Sequence, residues 1–237
     1  MPTTVVLVHG AFADSASFAP VTRLLLDEGL DVRVPPVANR SLLGDAAALR
    51  RFVEQVGGQV LLVGHSYGGA VITQAGDADA VVGLVYLAGY ALVEGESLGQ
   101  LQGGFPDSDL AANLVYQQYP LPDGTEGTDV SVRVDAFPEV FAAGVDPATA
   151  QVLAVGQRPL SALAFGEAAT VAAWRTKPGW GLVSAADRTI NPDVERFGYQ
   201  RAGLEVVEVA GAPHLVMHQN PQAVVDLIRT ALAAVGG

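Results

Sequence analysis

Residues 57–76 constrain the fold of this chain more than any other part of its 237 residues. They read GGQVLLVGHSYGGAVITQAG. Residues 60–63 form an apolar run with the length and β-branched content of a buried strand, and residues 70–75 are typical of a helix. Ser66 lies between them, with a glycine two positions away on either side. The pattern predicts a strand, a tight turn centred on Ser66 and a helix.

A serine in such a turn takes a strained backbone conformation that places its hydroxyl at the tip of the strand. We expect Gly64 and Gly68 where the strand and helix backbones pass too close for a Cβ atom. The N-terminus of the helix beneath Ser66 favours negative charge near the hydroxyl, as acyl transfer requires. The stretch therefore predicts a nucleophile elbow with Ser66 as the nucleophile.

Strand and helix patterns alternate along the chain outside one internal segment. Short apolar runs that are each followed by a helical pattern predict an α/β fold, with a mostly parallel six-stranded sheet and helices on both faces. The six strands are expected at residues 4–8, 30–34, 60–63, 80–88, 179–185 and 204–210.

Residues 93–170 break this alternation, because glycine, proline and aspartate are frequent and no buried strand is evident. Short helices are predicted at residues 108–119, 132–143 and 147–155. The segment has too many apolar and aromatic residues for a disordered loop. We interpret it as a small cap insertion over the carboxyl ends of the strands, with residues 1–92 and 171–237 as the core.

A family resemblance rests on four places in the sequence: residues 8–12 (VHGAF), residues 64–69 (GHSYGG), Asp187 and residues 211–214 (GAPH). With these motifs the chain resembles the α/β-hydrolase family over essentially its whole length. It is most similar to the small branch that holds esterases and hydroxynitrile lyases. The resemblance implies the α/β-hydrolase fold and catalytic residues in the chain order serine, acid, histidine.

Serine is a poor nucleophile and needs an adjacent base. His214 directly follows the last predicted strand, and Asp187 ends the strand before it. We expect Ser66 to attack a carbonyl carbon, His214 to take its proton and Asp187 to orient the imidazole. Two alternatives stay open. Glu94 is the rival acid, because some relatives place the acid after an earlier strand, and His218 lies one helical turn beyond His214.

Other ionisable residues near these positions are expected to play lesser parts. Asp193 and Glu195 belong to the helix after Asp187, and we expect both to be solvated. His9 and His65 flank the elbow as packed turn histidines or supporting donors. No glutamate follows His214, so the zinc helix motif is absent, and we expect neither a metal nor a cofactor.

The fold also suggests where an oxyanion and a substrate would bind. The backbone N–H of Ala11 or Phe12 would supply one oxyanion donor, and that of Tyr67 the other. We expect aromatic side chains of both core and cap to bind the substrate. These are Phe12, Tyr90, Phe105, Phe137, Phe141 and Trp174.

The implied activity is hydrolysis of small, fairly apolar carboxylic esters through an acyl-enzyme. Hydroxynitrile lyases of this branch usually carry a lysine beside the catalytic histidine to hold the cyanide charge, but Leu215 follows His214, and the only lysine is Lys177. Cofactor-free haloperoxidase chemistry is an alternative on the same three residues. A dehalogenase would have aspartate at the elbow. A ligand receptor on this fold would be expected to have a damaged triad, whereas all three residues are present.

The net charge of the chain argues against some classes of binding partner. The formal net charge is −12, from 25 acidic and 13 basic residues, which argues against nucleic acid or an anionic membrane. The sequence has no cysteine and no signal-peptide pattern at its start, so a cytoplasmic location is expected. A small ester is the expected partner, and a homodimer is compatible with the sequence. Residues 93–170 contain eleven acids and two bases, which predicts a preference for neutral over anionic esters.

Overall fold

Two β-sheets organise residues 3–236, the part of the chain that the computed structural model describes. The larger sheet has six strands in the order β2-β1-β3-β4-β8-β9, and every neighbouring pair is parallel. Its strands are β1 (Thr4–Val8), β2 (Val32–Arg33), β3 (Val60–His65), β4 (Val81–Leu87), β8 (Gly179–Ser184) and β9 (Glu205–Val209). The predicted parallel six-stranded sheet is confirmed.

Helices cover this sheet on both faces, since every residue of β1 and β3 is buried. Strands buried on both sides need continuous apolar runs, which is why these segments do not alternate in polarity. Helix α1 packs against α10, and α2 packs against α3. The core helices are α1 (Ala19–Asp27), α2 (Leu42–Val56), α3 (Tyr67–Ala75), α8 (Pro192–Arg201), α9 (Val216–Gln219) and α10 (Pro221–Val235).

Residues 93–170, here called the cap segment, form a second sheet that the sequence analysis did not predict. Its three strands are antiparallel in the order β5-β6-β7, and most residues of β5 are exposed. Four short helices surround it. The elements are α4 (Leu98–Gln102), β5 (Leu114–Pro120), β6 (Glu126–Val132), α5 (Phe137–Val140), α6 (Pro147–Val155), β7 (Leu160–Ser161) and α7 (Ala162–Gly166).

The helix predicted at residues 108–119 is wrong. Only a 3-10 turn at Ala111–Asn113 is helical there, and β5 follows it directly. Strand β5 pairs along its whole length with β6 through a turn at residues 121–125, where Gly124 has a φ of 84°. Residues 121–125 read LPDGT, and Pro-Asp-Gly between two β-rich runs is a hairpin signal with a physical basis. That signal was available in the sequence.

Of the two other helices predicted in the cap segment, one is shorter than predicted and the other is confirmed. At residues 132–143 only Phe137–Val140 is α-helical, because Val132 still belongs to β6. The helix at residues 147–155 is confirmed as α6, with Pro147 in its first turn and Asp146 as its N-cap.

The parallel arrangement brings the carboxyl ends of β1, β3, β4 and β8 to one edge of the larger sheet. Loops that follow parallel strands at this edge are where α/β folds place their ligands. No helix among residues 3–236 has the length and apolar character needed to cross a bilayer.

Candidate active site

Ser66 occupies the turn between β3 and α3 with φ 56° and ψ −123°, a conformation that is strained for a residue with a side chain. A Cβ atom on Gly64 would lie 2.5 Å from the carbonyl oxygen of Gly68, and one on Gly68 would overlap the carbonyl oxygen of Val8. Only glycine fits at both positions. The predicted elbow is therefore present, and its tight backbone packing holds Ser66 in place.

The loop after β1 closes over the same serine. A Cβ atom on Gly10 would lie 2.7 Å from the Cβ of Ser66 and 3.2 Å from its Oγ, so glycine allows the loop to approach Ser66. His9 anchors this loop. Its Nδ1 donates to the Gly10 carbonyl at 2.9 Å, and its Nε2 accepts from the backbone N–H of Val37 at 2.9 Å. Burial lowers the pKa of His9, which favours this neutral form.

Asp187 and His214 meet below the same edge of the sheet. Nδ1 of His214 donates to Oδ2 of Asp187 at 2.6 Å, and both side chains are completely buried. The other carboxylate oxygen, Oδ1, accepts from the backbone N–H groups of Thr189 at 2.6 Å and Ile190 at 3.0 Å. Asp187 thus binds the imidazole of His214 and also accepts from the backbone N–H groups of the turn before α8.

His65 links the histidine to the elbow. Its Nε2 donates to the carbonyl oxygen of His214 at 2.9 Å, and the two ring centroids lie 4.6 Å apart. Burial and then the neighbouring His214 lower the pKa of His65 well below its ordinary value, so His65 stays neutral. The remaining nitrogen of His214, Nε2, is buried and has no hydrogen-bond partner among residues 3–236.

Glu94 and His218, the alternatives to Asp187 and His214, make different contacts. Glu94 is half exposed and forms an ion pair with Arg175 at 3.1 Å. His218 lies in α9, and burial lowers the pKa of its imidazole. Across the described residues no group of three histidine, aspartate or glutamate side chains could hold a metal ion.

The structure distinguishes between the two predicted oxyanion donors of the loop. The N–H of Phe12 donates to the carbonyl oxygen of Arg158, in the cap segment, at 3.0 Å. That N–H is therefore engaged with the cap segment. Ala11 directly follows Gly10, whose backbone packs against Ser66, and Tyr67 is the first residue of α3, where N–H groups have no partner within the helix.

A cavity of about 310 Å³ lies between the core and the cap segment and reaches Ser66. His214 and Asp187 do not line it, but Thr189 and Ile190, whose N–H groups donate to Asp187, do. Most of its lining is apolar, and Asp107 is the one charged residue on the wall within residues 3–236. The lining residues are Ala11, Phe12, Ser66, Tyr67, Tyr90, Leu98, Gly99, Gln102, Gly103, Asp107, Leu110, Ala111, Leu114, Tyr116, Val130, Leu160, Ala162, Phe165, Thr189 and Ile190.

Of the six aromatic residues expected to bind substrate, only Phe12 and Tyr90 line this cavity. Phe137 and Phe141 instead form an aromatic cluster with Phe12, and the ring of Phe141 lies 5.0 Å from that of His214. This cluster shields the imidazole from water.

The last two aromatic residues, Phe105 and Trp174, also lie outside the lining of this cavity. Phe105 packs against Phe197 with ring centroids 5.6 Å apart, and Trp174 donates from Nε1 to the Leu92 carbonyl at 2.7 Å. The wall is formed instead by leucines and Phe165 of the cap segment. The sequence did not single out Leu110 and Leu114, because residues 108–119 were predicted as a helix.

One further prediction is wrong. Glu195, expected on a solvated helix face, is fully buried next to Asp187, and its Oε2 accepts from the backbone N–H of Ser184 at 3.0 Å. Asp193 is exposed, as expected, and pairs with Arg196 at 2.7 Å.

Known proteins share this architecture. Polyneuridine aldehyde esterase superposes with a TM-score of 0.84 at 16% identity, covering 98% of this chain and 100% of that one. A pyrethroid hydrolase from Sphingobium faniae JZ-2 gives 0.76 at 20% identity, covering 99% and 98%. A methylesterase from Arabidopsis gives 0.79 at 17% identity, covering 98% and 99%. At these identities the likeness is one of fold.

Sequence comparison adds a relative and a family. The alpha/beta hydrolase nvfD of Aspergillus novofumigatus (strain IBT 16806) is 28% identical over 204 residues, which are 79% of this chain and 76% of that protein. The model of the alpha/beta hydrolase family matches residues 5–227, nearly the whole chain. The chain therefore belongs to the alpha/beta hydrolase family.

Proposed function

We propose that this protein is a serine hydrolase of small, neutral, apolar carboxylic esters, with Ser66, His214 and Asp187 as its catalytic triad. The observation that carries the proposal is the fully buried hydrogen bond between Asp187 and His214, whose ring lies 4.6 Å from that of His65, the residue before the strained Ser66. The fold neighbours described as esterases or as a pyrethroid hydrolase support an ester-cleaving activity.

The proposed reaction begins with attack of the Ser66 oxygen on the ester carbonyl carbon. Nε2 of His214 takes the serine proton, because Nδ1 is already committed to Asp187. The same proton then goes to the leaving alkoxide, and an acyl-enzyme remains. Water, deprotonated by His214, releases the acid and restores Ser66.

The tetrahedral intermediates carry a negatively charged oxygen that needs donors. We assign these donors to the N–H groups of Ala11 and Tyr67, since the N–H of Phe12 is bonded to Arg158. Tyr67 stands at the positive end of α3, and that helix is held by the hydrogen bond from the Tyr67 hydroxyl to Asp45 at 2.8 Å. A fixed helix N-terminus stabilises the oxyanion without reorganising during the reaction.

The cavity supports the substrate class. Its wall is mostly apolar and has room for a small acyl or alcohol group, and no cationic side chain lines it among the described residues. The cap segment, residues 93–170, forms most of this wall, which is the role expected for a cap.

The lyase alternative lacks the cation that a leaving cyanide needs. Lys177 donates to the carbonyl of Ala78 at 3.3 Å and precedes β8, so it lies at the opposite edge of the sheet from Ser66. Leu215, next to His214, is buried and apolar. The haloperoxidase alternative uses the same triad and is tested by the same variants. A cytoplasmic location and a homodimer stay predictions.

Labelling of the nucleophile tests the proposal. A sulfonyl fluoride should add one adduct mass, on the peptide that contains Ser66, and should abolish cleavage of p-nitrophenyl esters. Ser66→Ala should remove both labelling and hydrolysis, with a loss on the order of 10⁶-fold in kcat as for other serine hydrolases. Ser17→Ala, at a buried serine in the turn before α1, is the matched control. Full esterase activity in Ser66→Ala, or faster cleavage of mandelonitrile than of any ester, would refute the proposal.

A further inference from the structure

A second buried carboxyl group lies beside the Asp187–His214 pair. Glu195, in the first turn of α8, has no exposed surface. Its Oε2 accepts from the backbone N–H of Ser184, the last residue of β8, at 3.0 Å. Its Oε1 is also buried and receives no hydrogen bond from an N–H or O–H group of the described residues. The Glu195 carboxyl group lies within hydrogen-bonding reach of the Asp187 carboxylate.

Two carboxyl groups this close in a buried site cannot both be ionised, so one of them must hold a proton. Asp187 accepts three N–H donors, from Thr189, Ile190 and His214. Glu195 accepts only one, from Ser184. Hydrogen bonds to a carboxylate stabilise its charged form, so the negative charge stays on Asp187 and the proton on Glu195.

We propose that Glu195 is a neutral carboxylic acid whose Oε1–H donates to the Asp187 carboxylate and fixes it against His214. Glu195 is then a positioning residue, since it acts on the imidazole through Asp187. This inference rests on the proposed orienting role of Asp187.

The surroundings of Glu195 favour the neutral form. Burial, and next the negative charge of Asp187, raise the pKa of Glu195 well above its ordinary value. Tyr199 lies in α8, and burial and then Glu195 raise its pKa. Tyr90 lies in the loop after β4, and burial, then Asp187 and then Glu195 raise its pKa. Both phenols therefore stay neutral. Arg196 is the nearby cation, and its guanidinium is held outside by Asp193 and Glu208.

Two variants of Glu195 distinguish a role as hydrogen-bond donor from a role that only fills space. Glu195→Gln keeps the shape, an acceptor for Ser184 and a donor for Asp187, but cannot ionise. Glu195→Leu keeps much of the volume and removes both polar functions. We expect Glu195→Gln to retain kcat within about threefold at neutral pH, and Glu195→Leu to lose on the order of tenfold in kcat with little change in KM.

The pH dependence of stability tests the protonation state without a substrate. Because the pKa of Glu195 is higher in the folded than in the unfolded protein, its stabilising contribution is complete below its unfolded pKa of about 4.3. The contribution is lost as pH rises through the raised, folded pKa. The melting temperature of the wild type should therefore fall relative to that of Glu195→Gln as pH rises above about 4.5. A constant difference would contradict the proposal.

Infrared difference spectra give the direct readout. At neutral pH the difference spectrum, wild type minus Glu195→Gln, should show the C=O band of a protonated carboxylic acid. The Glu94→Gln variant should retain this band. Absence of the band, or a folded Glu195→Gln variant as impaired as Glu195→Leu, would overturn the inference. If the band is present and no ester is cleaved, the proposed function fails while the protonation of Glu195 stands.

Discussion

The larger sheet and the cap segment are built by opposite rules. Every residue of β3 is buried between two layers of helices, and the elbow leaves no room for a Cβ atom at Gly64 or Gly68. In the cap segment, β5 is mostly exposed, and Tyr116 keeps 64% of its surface accessible although it borders the cavity. The core determines the positions of its groups through many close contacts, whereas the cap offers an apolar wall with few constraints.

This difference assigns separate tasks to the two regions. Catalysis requires groups that stay in place while charge develops, and the proposed catalytic groups lie at or after the carboxyl ends of β1, β3, β8 and β9. Substrate selection requires only a wall of suitable size and charge, which a lightly packed cap can change without disturbing the core. Substitutions should therefore cost far more in the core than in the cap.

After Ser66→Ala, the largest effect is expected at Asp187. Asp187→Asn preserves the shape and the acceptor for Thr189 and Ile190, but its amide cannot accept from Nδ1 of His214. The imidazole would then adopt the wrong tautomer. We expect a loss on the order of 10⁴-fold in kcat, as for the equivalent change in a serine protease, measured with a p-nitrophenyl ester.

Glu94→Gln is the matched control, because Glu94 was the rival acid and is paired with Arg175 on the surface. Its kcat should stay within about threefold of the wild type. The opposite result, an inactive Glu94→Gln variant beside an Asp187→Asn variant that loses less than about tenfold, would mean that Asp187 is not the orienting acid.

Two glycine-to-alanine substitutions, one in the core and one in the cap segment, compare how an added methyl group affects stability in the two regions. Gly68 lies in α3 and Gly166 in α7, so each variant adds one methyl group to a helix. In Gly68→Ala the methyl group would collide with the backbone of β1, whereas nothing lies within 4 Å of a Cβ atom on Gly166. We expect Gly68→Ala to lower the free energy of unfolding by more than about 2 kcal/mol, and Gly166→Ala to change it by less than about 0.5 kcal/mol.

Urea unfolding followed by circular dichroism measures both values. Similar midpoints for Gly68→Ala and the wild type would show that the elbow can relax. The contrast between a rigid core and a permissive cap would then be lost at the position where it should be strongest.

The same contrast explains what the sequence could and could not predict. Buried parallel strands are continuous apolar runs, and functional groups follow their carboxyl ends, so local patterns locate the sheet, the elbow at Ser66 and the positions of Asp187 and His214. The cap has half-exposed strands without such runs. Leu110 and Leu114 have helical spacing, yet Leu114 begins a strand because β6 is available to pair with it.

Burial of polar groups was harder to foresee. Glutamate is almost never fully buried unless it is paired, so the helix pattern alone places Glu195 in solvent. Its burial depends on Ser184 and Asp187, which only the folded chain brings next to it. The same holds for two buried phenylalanines that do not line the cavity: Phe141 packs against His214, and Phe137 packs against Phe141.

The smallest expected effect concerns the charge of the cap wall. Asp107 is the one charged residue that lines the cavity within the described range, and it is exposed. Its carboxylate should repel an ester that carries a carboxylate of its own. We expect Asp107→Asn to raise kcat/KM for such an anionic ester by about threefold at low ionic strength, and to leave the neutral analogue unchanged.

The dependence of this gain on ionic strength, and a second variant, test whether the effect comes from Asp107. The gain should shrink as ionic strength rises, because screening weakens the repulsion in the wild type. Glu126→Gln removes the same charge from the cap but not from the cavity wall, and should have no such effect. If the wild type prefers the anionic ester, a cationic subsite must exist. Arg133 is paired with Asp135 and Arg175 with Glu94, so Arg158, whose carbonyl contacts Phe12, is the residue to replace next.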